Sequence, residues 1–159
     1  SSLQEGDTDD WNRMIDTNIK GLLYITRYVS PFMITREKGH IINIGSIAGK
    51  EVYPNGNVYC ATKHAVDALT KGMRMDMLKH NIKVTQICPG AVETEFSIVR
   101  FYGDKARADN VYKGFESLVA ADIADCILFA VSRPSHVNIN DMIVMPAAQA
   151  TGTLFNKKL

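Results

Sequence analysis

Residues 40–64 read HIINIGSIAGKEVYPNGNVYCATKH and change character twice along their length. A short β-branched run comes first, then a link that contains glycine and proline, then a helical pattern that begins near Asn57. The run at 40–44 predicts a buried strand, because continuous β-branched residues bounded by glycine are typical of strands covered on both faces. The stretch therefore predicts a strand, a loop and a helix in succession, which is the repeating unit of α/β folds.

The same alternation continues on both sides of this stretch. Upstream, an acidic cluster at 7–10 suits a helix N-terminus, and apolar residues then recur at helical spacing to about residue 36. Downstream, the pattern predicts a helix over 57–80, a strand over 82–88, a loop with short helices over 91–118, a helix over 122–132, a strand over 141–145 and a polar tail. No repeat or linker divides the chain, so residues 1–159 are expected to form a single α/β domain with a parallel sheet.

Composition excludes several classes of protein. Of 159 residues, 46% are hydrophobic and 22% are charged, and the formal net charge is +1. Since the chain has neither a basic stripe nor an apolar run of about 18 residues, no nucleic-acid or membrane partner is expected. The three cysteines, Cys60, Cys88 and Cys126, are widely spaced, so we expect reduced thiols in a cytoplasmic protein and no metal site.

Three residues of the opening stretch could carry acid–base chemistry. Tyr59 and Lys63 are four residues apart in the predicted helix, so their side chains share one face. A tyrosine ionises at about pH 10, and a neighbouring ammonium group lowers its pKa, which makes it usable as a general acid or base. Ser46 follows the strand at its carboxyl end, where open α/β sheets bind ligands, and its hydroxyl could hold a substrate oxygen. The alternative is an ordinary link between a strand and a helix.

Four short motifs occur along the chain: NIKG at 18–21, NIGS at 43–46, YCATK at 59–63 and PGAVET at 89–94. Together, and in this order, they resemble the motifs of the classical short-chain dehydrogenase/reductase family. The resemblance covers most of the chain and implies a Rossmann-like, three-layer α/β fold with a parallel sheet. It also implies that the chain corresponds to the carboxyl-terminal two-thirds of such a domain, without the amino-terminal part of the nucleotide-binding half.

The resemblance implies roles for individual residues. The catalytic set is Asn18, Ser46, Tyr59 and Lys63, and the cofactor-binding set is Tyr59, Lys63, Pro89, Gly90, Val92 and Thr94. Tyr59 would exchange a proton with the substrate, while Lys63 would lower the tyrosine pKa and hydrogen-bond the nicotinamide ribose. Ser46 would orient the substrate oxygen, and Asn18 would hold a water that links Lys63 to solvent. The alternative for Asn18 is a helix-interior amide bonded to the backbone.

Other segments narrow the likeness within the family. Residues 94–101 (TEFSIVRF), 136–140 (HVNIN) and 145–146 (MP) resemble the NADP-dependent 3-hydroxy acid dehydrogenases, which include serine dehydrogenases. This likeness implies a small hydroxy acid or related alcohol as substrate, NADP as cofactor with NAD not excluded, and a homo-tetramer whose interface includes the two long helices. The tail at 147–159 is expected either to reach a neighbouring subunit or to fray.

Arg100 lies within the first of these segments and is a candidate ligand of a substrate carboxylate. A guanidinium group suits this task because it can bind both carboxylate oxygens at once. A solvated surface arginine is the alternative interpretation of this residue.

One part of the family pattern does not occur in the sequence. No G-x-G-x-x-G or G-x-x-x-G-x-G turn is present to hold the phosphates of a dinucleotide. Two hypotheses follow. The first is an NAD(P)-dependent oxidoreductase that uses Tyr59 as general acid and base. The second is a catalytically silent module that serves oligomerisation through its long helices.

Overall fold

The computed structural model describes residues 1–158, and its centre is a three-stranded parallel sheet. The strands are β1 (Gly39–Ile44), β2 (Ile82–Pro89) and β3 (Asp141–Val144), in the order β1-β2-β3. In the register, Ile44 of β1 lies opposite Ile87 of β2. Because the strands run in one direction, their carboxyl ends meet at one edge of the sheet. The predicted parallel sheet is confirmed.

The described residues form six α-helices. These are α1 (Thr8–Ile15), α2 (Leu22–Thr35), α3 (Asn57–Met77), α4 (Phe96–Arg100), α5 (Lys105–Tyr112) and α6 (Ala120–Val131). Their boundaries lie within a few residues of the predicted ones, with one exception. The single helix predicted up to residue 36 contains a π-helical segment, Asp16–Gly21, between α1 and α2. Apolar periodicity continues through this segment, so the sequence pattern does not reveal it.

Short acidic side chains fix where several helices begin. The Asp7 carboxylate accepts a hydrogen bond from the Asp9 backbone N–H at 2.8 Å and caps α1. Asp104 caps α5 in the same way by accepting from the Arg107 N–H at 3.0 Å. These caps satisfy backbone donors that have no partner within the helix.

Helices cover both faces of the sheet. Val84 of β2 packs with Met73 and Met77 of α3 in the hydrophobic core, and α2 contributes partly buried residues to the same cluster. Lys83, the preceding residue on β2, points to the opposite face, because side chains alternate along a strand. Its Nζ donates to the carbonyl of Arg133, just beyond α6, at 3.3 Å. Helices α3 and α6 therefore lie on opposite faces, which confirms the three-layer α/β fold.

The segment after β2 and the C-terminal segment pack against each other. Val92 and Leu118 form an isolated parallel bridge, which closes the loop that carries α4 and α5. Phe155 of the C-terminal segment contacts the ring of Phe115, with the ring centroids 5.0 Å apart. Up to residue 158 the tail is thus held against the rest of the chain, and its reach to a neighbouring subunit stays a prediction.

Residues 1–158 show neither a membrane-spanning helix nor a cluster of metal ligands. None of the helices in this range combines the length and apolar character needed to cross a membrane. Within the same range, no three His, Cys, Asp or Glu side chains are grouped so that they could hold a metal ion.

Candidate active site

Ser46 lies where β1 ends and a short 3-10 helix, Ile47–Gly49, begins. Its Oγ accepts a hydrogen bond from the Ala48 backbone N–H at 3.1 Å, so the hydroxyl is fixed at the carboxyl edge of the sheet. The preceding residue, Gly45, has no room for a side chain. A Cβ there would lie 2.4 Å from Gln86 Nε2, which is closer than real Cβ contacts allow. The close approach of β1 and β2 therefore determines where Ser46 is placed.

Tyr59 and Lys63 lie one turn apart on α3 and face the same strand end. Lys63 Nζ donates to the carbonyl of Ile44, the last residue of β1, at 3.1 Å. The same Nζ lies 5.9 Å from the centroid of the Tyr59 ring. Gly49 allows this arrangement, because a Cβ there would lie 2.6 Å from the Lys63 carbonyl oxygen. The structure thus brings Ser46, Tyr59 and Lys63 together, as the spacing of the residues predicts.

The pKa of Tyr59 shifts in the opposite direction to the one that the sequence predicts. Burial is the largest influence on Tyr59 and raises its pKa, while a hydrogen bond with Ser46 and the positive charge of Arg100 lower it; the net direction is upward. Lys63 is not among the groups that shift the pKa of Tyr59 here, so the lowering expected from its ammonium group stays a prediction. The Lys63 ammonium is directed to a backbone carbonyl and is itself partly desolvated, so burial lowers its own pKa.

Asn18 lies in the π-helical segment and contacts α3 beside the catalytic candidates. Its Nδ2 donates to Thr62 Oγ1 at 3.1 Å, and the Thr62 hydroxyl donates to the carbonyl of Tyr59 at 2.8 Å. Asn18 therefore bonds to a neighbour of Lys63 and is only indirectly connected to Lys63. The water-holding role stays a prediction. The alternative, in which the Asn18 amide bonds the backbone, is not observed, because its nitrogen donates to the Thr62 side chain.

The segment after β2 continues along the same edge of the sheet. Pro89 is buried, Gly90 and Val92 are half-buried, and Thr94 is exposed. Gly90 N–H donates to the carbonyl of Val144 on β3 at 2.8 Å, and the Val92 carbonyl accepts from the Tyr112 hydroxyl at 2.9 Å. The backbone of this segment is thus fixed, while Thr94 keeps its hydroxyl at the surface.

Arg100 ends α4 on the side of the site that faces Tyr59. Its guanidinium lies 5.3 Å from the Phe101 ring, and Arg107 stacks on the same ring at 4.5 Å. The ring of Phe96, from the start of α4, lies 5.5 Å from the Tyr59 ring. Arg100 itself is exposed, yet its charge reaches Tyr59 and lowers the pKa of that residue. An anion beside Tyr59 would therefore meet a positive charge.

Comparison with known proteins agrees with this geometry. The family model for short chain dehydrogenases matches residues 1–102. The chain belongs to the short-chain dehydrogenase family. This assignment confirms the resemblance seen in the motifs.

Individual relatives show which members of the short-chain dehydrogenase family this chain is similar to. It is 48% identical over 141 residues to an NADP-dependent 3-hydroxy acid dehydrogenase of Schizosaccharomyces pombe, with 89% of this chain and 54% of the relative covered. It is 43% identical over 148 residues to sulfoacetaldehyde reductase 2 of Chromohalobacter salexigens, and the match covers 92% of this chain and 59% of that relative. The closed form of a serine dehydrogenase complexed with NADP⁺ has a TM-score of 0.94 and 42% identity, with all of this chain and 64% of that one covered. The chain thus spans 54% and 59% of the length of these two curated relatives.

The residues at the sheet edge fit the ribose and nicotinamide of a dinucleotide. Within residues 1–158, Lys63 Nζ has one hydrogen-bond acceptor, the Ile44 carbonyl. An ammonium group has three protons, so two are available for ribose hydroxyls. The phenol of Tyr59 and the exposed hydroxyl of Thr94 add further groups of the same kind. The glycine-rich turn that would hold the phosphates does not occur in this sequence.

Several residues around the candidate site are not predicted from the sequence. Tyr53 lies beside Tyr59 and Cys60, and Gln149 bonds the segment after β2. Lys50 bridges Asp67 of α3, at 2.6 Å, and Asp141 of β3. None of these residues belongs to a periodic pattern or a family motif, so the sequence carried no signal for them.

Proposed function

We propose that this chain carries the catalytic residues of an NADP-dependent oxidoreductase that interconverts a small hydroxy acid, or a related alcohol, and its carbonyl form. The observation that carries the proposal is the meeting of Ser46, Tyr59 and Lys63 at the carboxyl end of β1. Relatives named as NADP-dependent 3-hydroxy acid dehydrogenases support NADP, with NAD as the alternative. The chain is proposed to be the carboxyl-terminal portion of one cytoplasmic domain, in keeping with its three free cysteines.

In the proposed mechanism, the residues at the sheet edge would hold NADP, and hydride transfer is the chemistry that the cofactor would supply when bound. Ser46 donates a hydrogen bond that holds the substrate oxygen next to the Tyr59 hydroxyl. In the reductive direction Tyr59 gives its proton to the carbonyl oxygen, and in the oxidative direction its phenolate takes the proton of the alcohol. Because burial raises the pKa of Tyr59, the phenol is neutral near pH 7 and is ready to act as the proton donor.

Supporting residues complete the proposed site. Lys63 holds the nicotinamide ribose with its free ammonium protons, and Asn18 orders the neighbouring turn of α3 and a water that leads from Lys63 to solvent. The segment with Pro89, Gly90, Val92 and Thr94 lines the nicotinamide end. The substrate carboxylate, or another anionic group, binds Arg100. A relative named for sulfoacetaldehyde, which carries a sulfonate group, supports an anionic substrate.

Replacing Tyr59 by Phe tests the proposal in the natural full-length protein. We expect kcat to fall by about 10²–10⁴-fold, because the proton donor is removed. NADPH binding, followed by fluorescence titration, should remain. Tyr102→Phe is the matched control, since Tyr102 is 76% exposed and its hydroxyl donates to Asp10 of α1, and its kcat should equal that of the parent protein. A Tyr59→Phe enzyme that works at the parent rate would contradict the mechanism.

A second candidate function is a catalytically silent module that serves oligomerisation. It is supported by the lack of a phosphate-binding glycine turn in the sequence and by exposed apolar residues on α2. This alternative predicts that the chain by itself does not bind NADPH. Tight binding of NADPH by the chain alone, measured by fluorescence titration, would rule it out.

A homo-tetramer is part of the main proposal. The support is an apolar surface on α2 whose members are all more than two-fifths exposed: Leu23, Tyr24, Ile25, Tyr28, Val29 and Phe32. A surface of this kind on a soluble enzyme is typical of a contact between subunits. The long helices α2 and α3 would supply one of the interfaces.

A further inference from the structure

The C-terminal segment, residues 146–158, folds over the loops that follow β1 and β2. Two backbone hydrogen bonds close it into a hairpin: Ala150 N–H donates to Leu154 O at 2.9 Å, and Asn156 N–H donates to Ala148 O at 2.8 Å. Gln149, in the first arm of this hairpin, is only 7% exposed. The segment is therefore part of the packed structure, and two of its residues reach the proposed active site.

Gln149 is the first of these residues. Its Oε1 accepts from the Ala91 backbone N–H at 2.8 Å, and its Nε2 donates to the Thr151 carbonyl at 3.0 Å. The amide lies directly against Gly90, since a Cβ there would be 2.4 Å from Gln149 Oε1. Both ends of the side chain are used, so Gln149 holds the backbone after β2 in one position.

Gly152 is the second. Its backbone N–H donates to Glu51 Oε2 at 2.7 Å, which ties the hairpin to the loop that follows Ser46. A Cβ at position 152 would lie 3.2 Å from Cδ1 of Tyr53. The backbone of Gly152 is outside the left-handed region, so the space beside Tyr53 is what favours glycine here.

The Tyr53 ring is packed between Gly152 and Gly56. On the other side of its ring, a Cβ at Gly56 would lie only 2.2 Å from Cε2, so the ring lies against the backbone where α3 begins. Burial raises the pKa of Tyr53 to about 12, while the positive charge of Arg100 lowers it and the neighbouring Tyr59 hydroxyl raises it. Tyr53 therefore faces the same space as these two residues.

We propose that the C-terminal hairpin positions two walls of the active site. Gln149 fixes the segment after β2, and Gly152 fixes Tyr53 beside Tyr59 and Arg100. Tyr53 then forms a wall of the space that receives the substrate, and Gly152 is a positioning residue that acts through Tyr53. This inference rests on the proposed function, because it concerns how that site selects its substrate.

Gly152→Val in the natural full-length protein tests the inference. A valine there displaces the Tyr53 ring, so KM for the hydroxy acid should rise about tenfold or more. The value of kcat should change much less, because a wall of the substrate space contributes equally to ground-state and transition-state binding. Gly72→Val is the matched control, because a Cβ at Gly72 meets nothing within 4 Å. Its KM should stay at the parent value, and thermal unfolding should show that both variants are folded.

A double variant tests whether Gly152→Val changes KM through the Tyr53 ring or through a wider disturbance of the fold. In a Tyr53→Ala protein the obstruction is gone, so adding Gly152→Val should change KM by less than about twofold, because coupled residues are not additive. If Gly152→Val leaves KM unchanged, or if its effect persists in full in the Tyr53→Ala protein, the inference is overturned.

Hydrogen exchange provides a readout that does not need activity. Gln149→Met removes the acceptor of the Ala91 N–H, so the amides of residues 90–93 should exchange faster. Gln149→Glu keeps that acceptor but loses the donor to the Thr151 carbonyl, so its exchange at these residues should be slower than in Gln149→Met. Gly152→Val should speed exchange at the amides of residues 51–53, 55 and 56. Unchanged exchange in Gln149→Met and Gly152→Val would overturn the inference even if the protein is an active dehydrogenase. A protein without dehydrogenase activity would overturn the proposed function, while these exchange rates would still decide whether the hairpin positions both loops.

Discussion

Tyr59 is kept in its neutral form by the surroundings that α3 and β1 create. Desolvation of the phenol outweighs the hydrogen bond from Ser46 and the charge of Arg100. The amide of Asn18 and the hydroxyl of Thr62 hold the adjacent backbone. These surroundings suit the role of proton donor proposed for Tyr59, and a nearby charge can adjust its pKa.

Arg100→Met should move the pH dependence of the reaction. The guanidinium stabilises the phenolate of Tyr59, so its removal raises the pKa of Tyr59 further. The oxidative direction needs the phenolate, and its rate should therefore rise at a higher pH than in the parent protein. A pH profile of kcat/KM for alcohol oxidation measures the shift.

Arg107→Met is the control for this experiment. Arg107 stacks on the same Phe101 ring as Arg100 but is not among the groups that shift the pKa of Tyr59. Its pH profile should coincide with that of the parent protein. A profile that does not move in Arg100→Met would show that this charge has no part in setting the pKa of Tyr59.

At the scale of elements, one lysine joins three parts of the fold. Lys50 lies just beyond the 3-10 helix that follows Ser46, and it pairs with Asp67 of α3 and Asp141 of β3. Asp67 also pairs with Lys71 at 2.6 Å. The loop after Ser46 is thereby attached to a helix and a strand that are far apart in the sequence.

Asp67→Asn should reduce stability in a pH-dependent way. Burial raises the pKa of Asp67, but its bonds with Lys50 and Lys71 outweigh burial and hold the pKa below its ordinary value of 3.8. Such a carboxyl stabilises the fold above its unfolded pKa, and the benefit is lost as the pH falls through the folded pKa. We expect a loss of about 1–3 kcal/mol at pH 7, which shrinks below about pH 4. Urea denaturation at several pH values measures it.

Asp109→Asn is the matched control for Asp67→Asn. Asp109 pairs with Lys105 one helical turn away, but its side chain is 63% exposed. An exposed ion pair contributes little to the free energy of unfolding, so Asp109→Asn should lower it by less than about 0.5 kcal/mol at any pH. Equal losses in the two variants would contradict the role given to Lys50 and Asp67.

Two methionines of α3 test how the helix packs on the sheet. Met73 is 6% exposed and belongs to the core cluster with Val84, while Met75 is 75% exposed. Met73→Ala should lower the free energy of unfolding by about 2–5 kcal/mol, because it leaves a cavity. Met75→Ala should change it by less than about 0.5 kcal/mol. Similar losses in urea denaturation would mean that α3 presents a different face to the sheet.

At the scale of the whole molecule, the face of α2 that points away from the core is apolar. Ile25 and Phe32 are 67% and 68% exposed, values typical of residues that contact another subunit. In the natural full-length protein, Ile25→Glu combined with Phe32→Glu should convert a tetramer into a smaller species, as measured by light scattering. Leu3→Glu is the control, since Leu3 is 59% exposed but lies outside the helices. An unchanged mass for the double variant would argue against an α2 interface.

The sequence by itself determined the alternation of helices and strands in this protein and where the candidate catalytic residues lie along it. Periodicities of two and about 3.6 residues are local, so they gave the order of helices and strands and placed Tyr59 and Lys63 on one face. The tertiary structure alone decided the direction of the Tyr59 pKa, the choice of Met73 over Met75 as a core residue, and the contacts of Lys50, Gln149 and Gly152. These depend on burial and on residues far apart in the chain: Gly152 and Glu51, for example, are 101 positions apart. Contacts at that range repeat with no period, so only the folded chain reveals them.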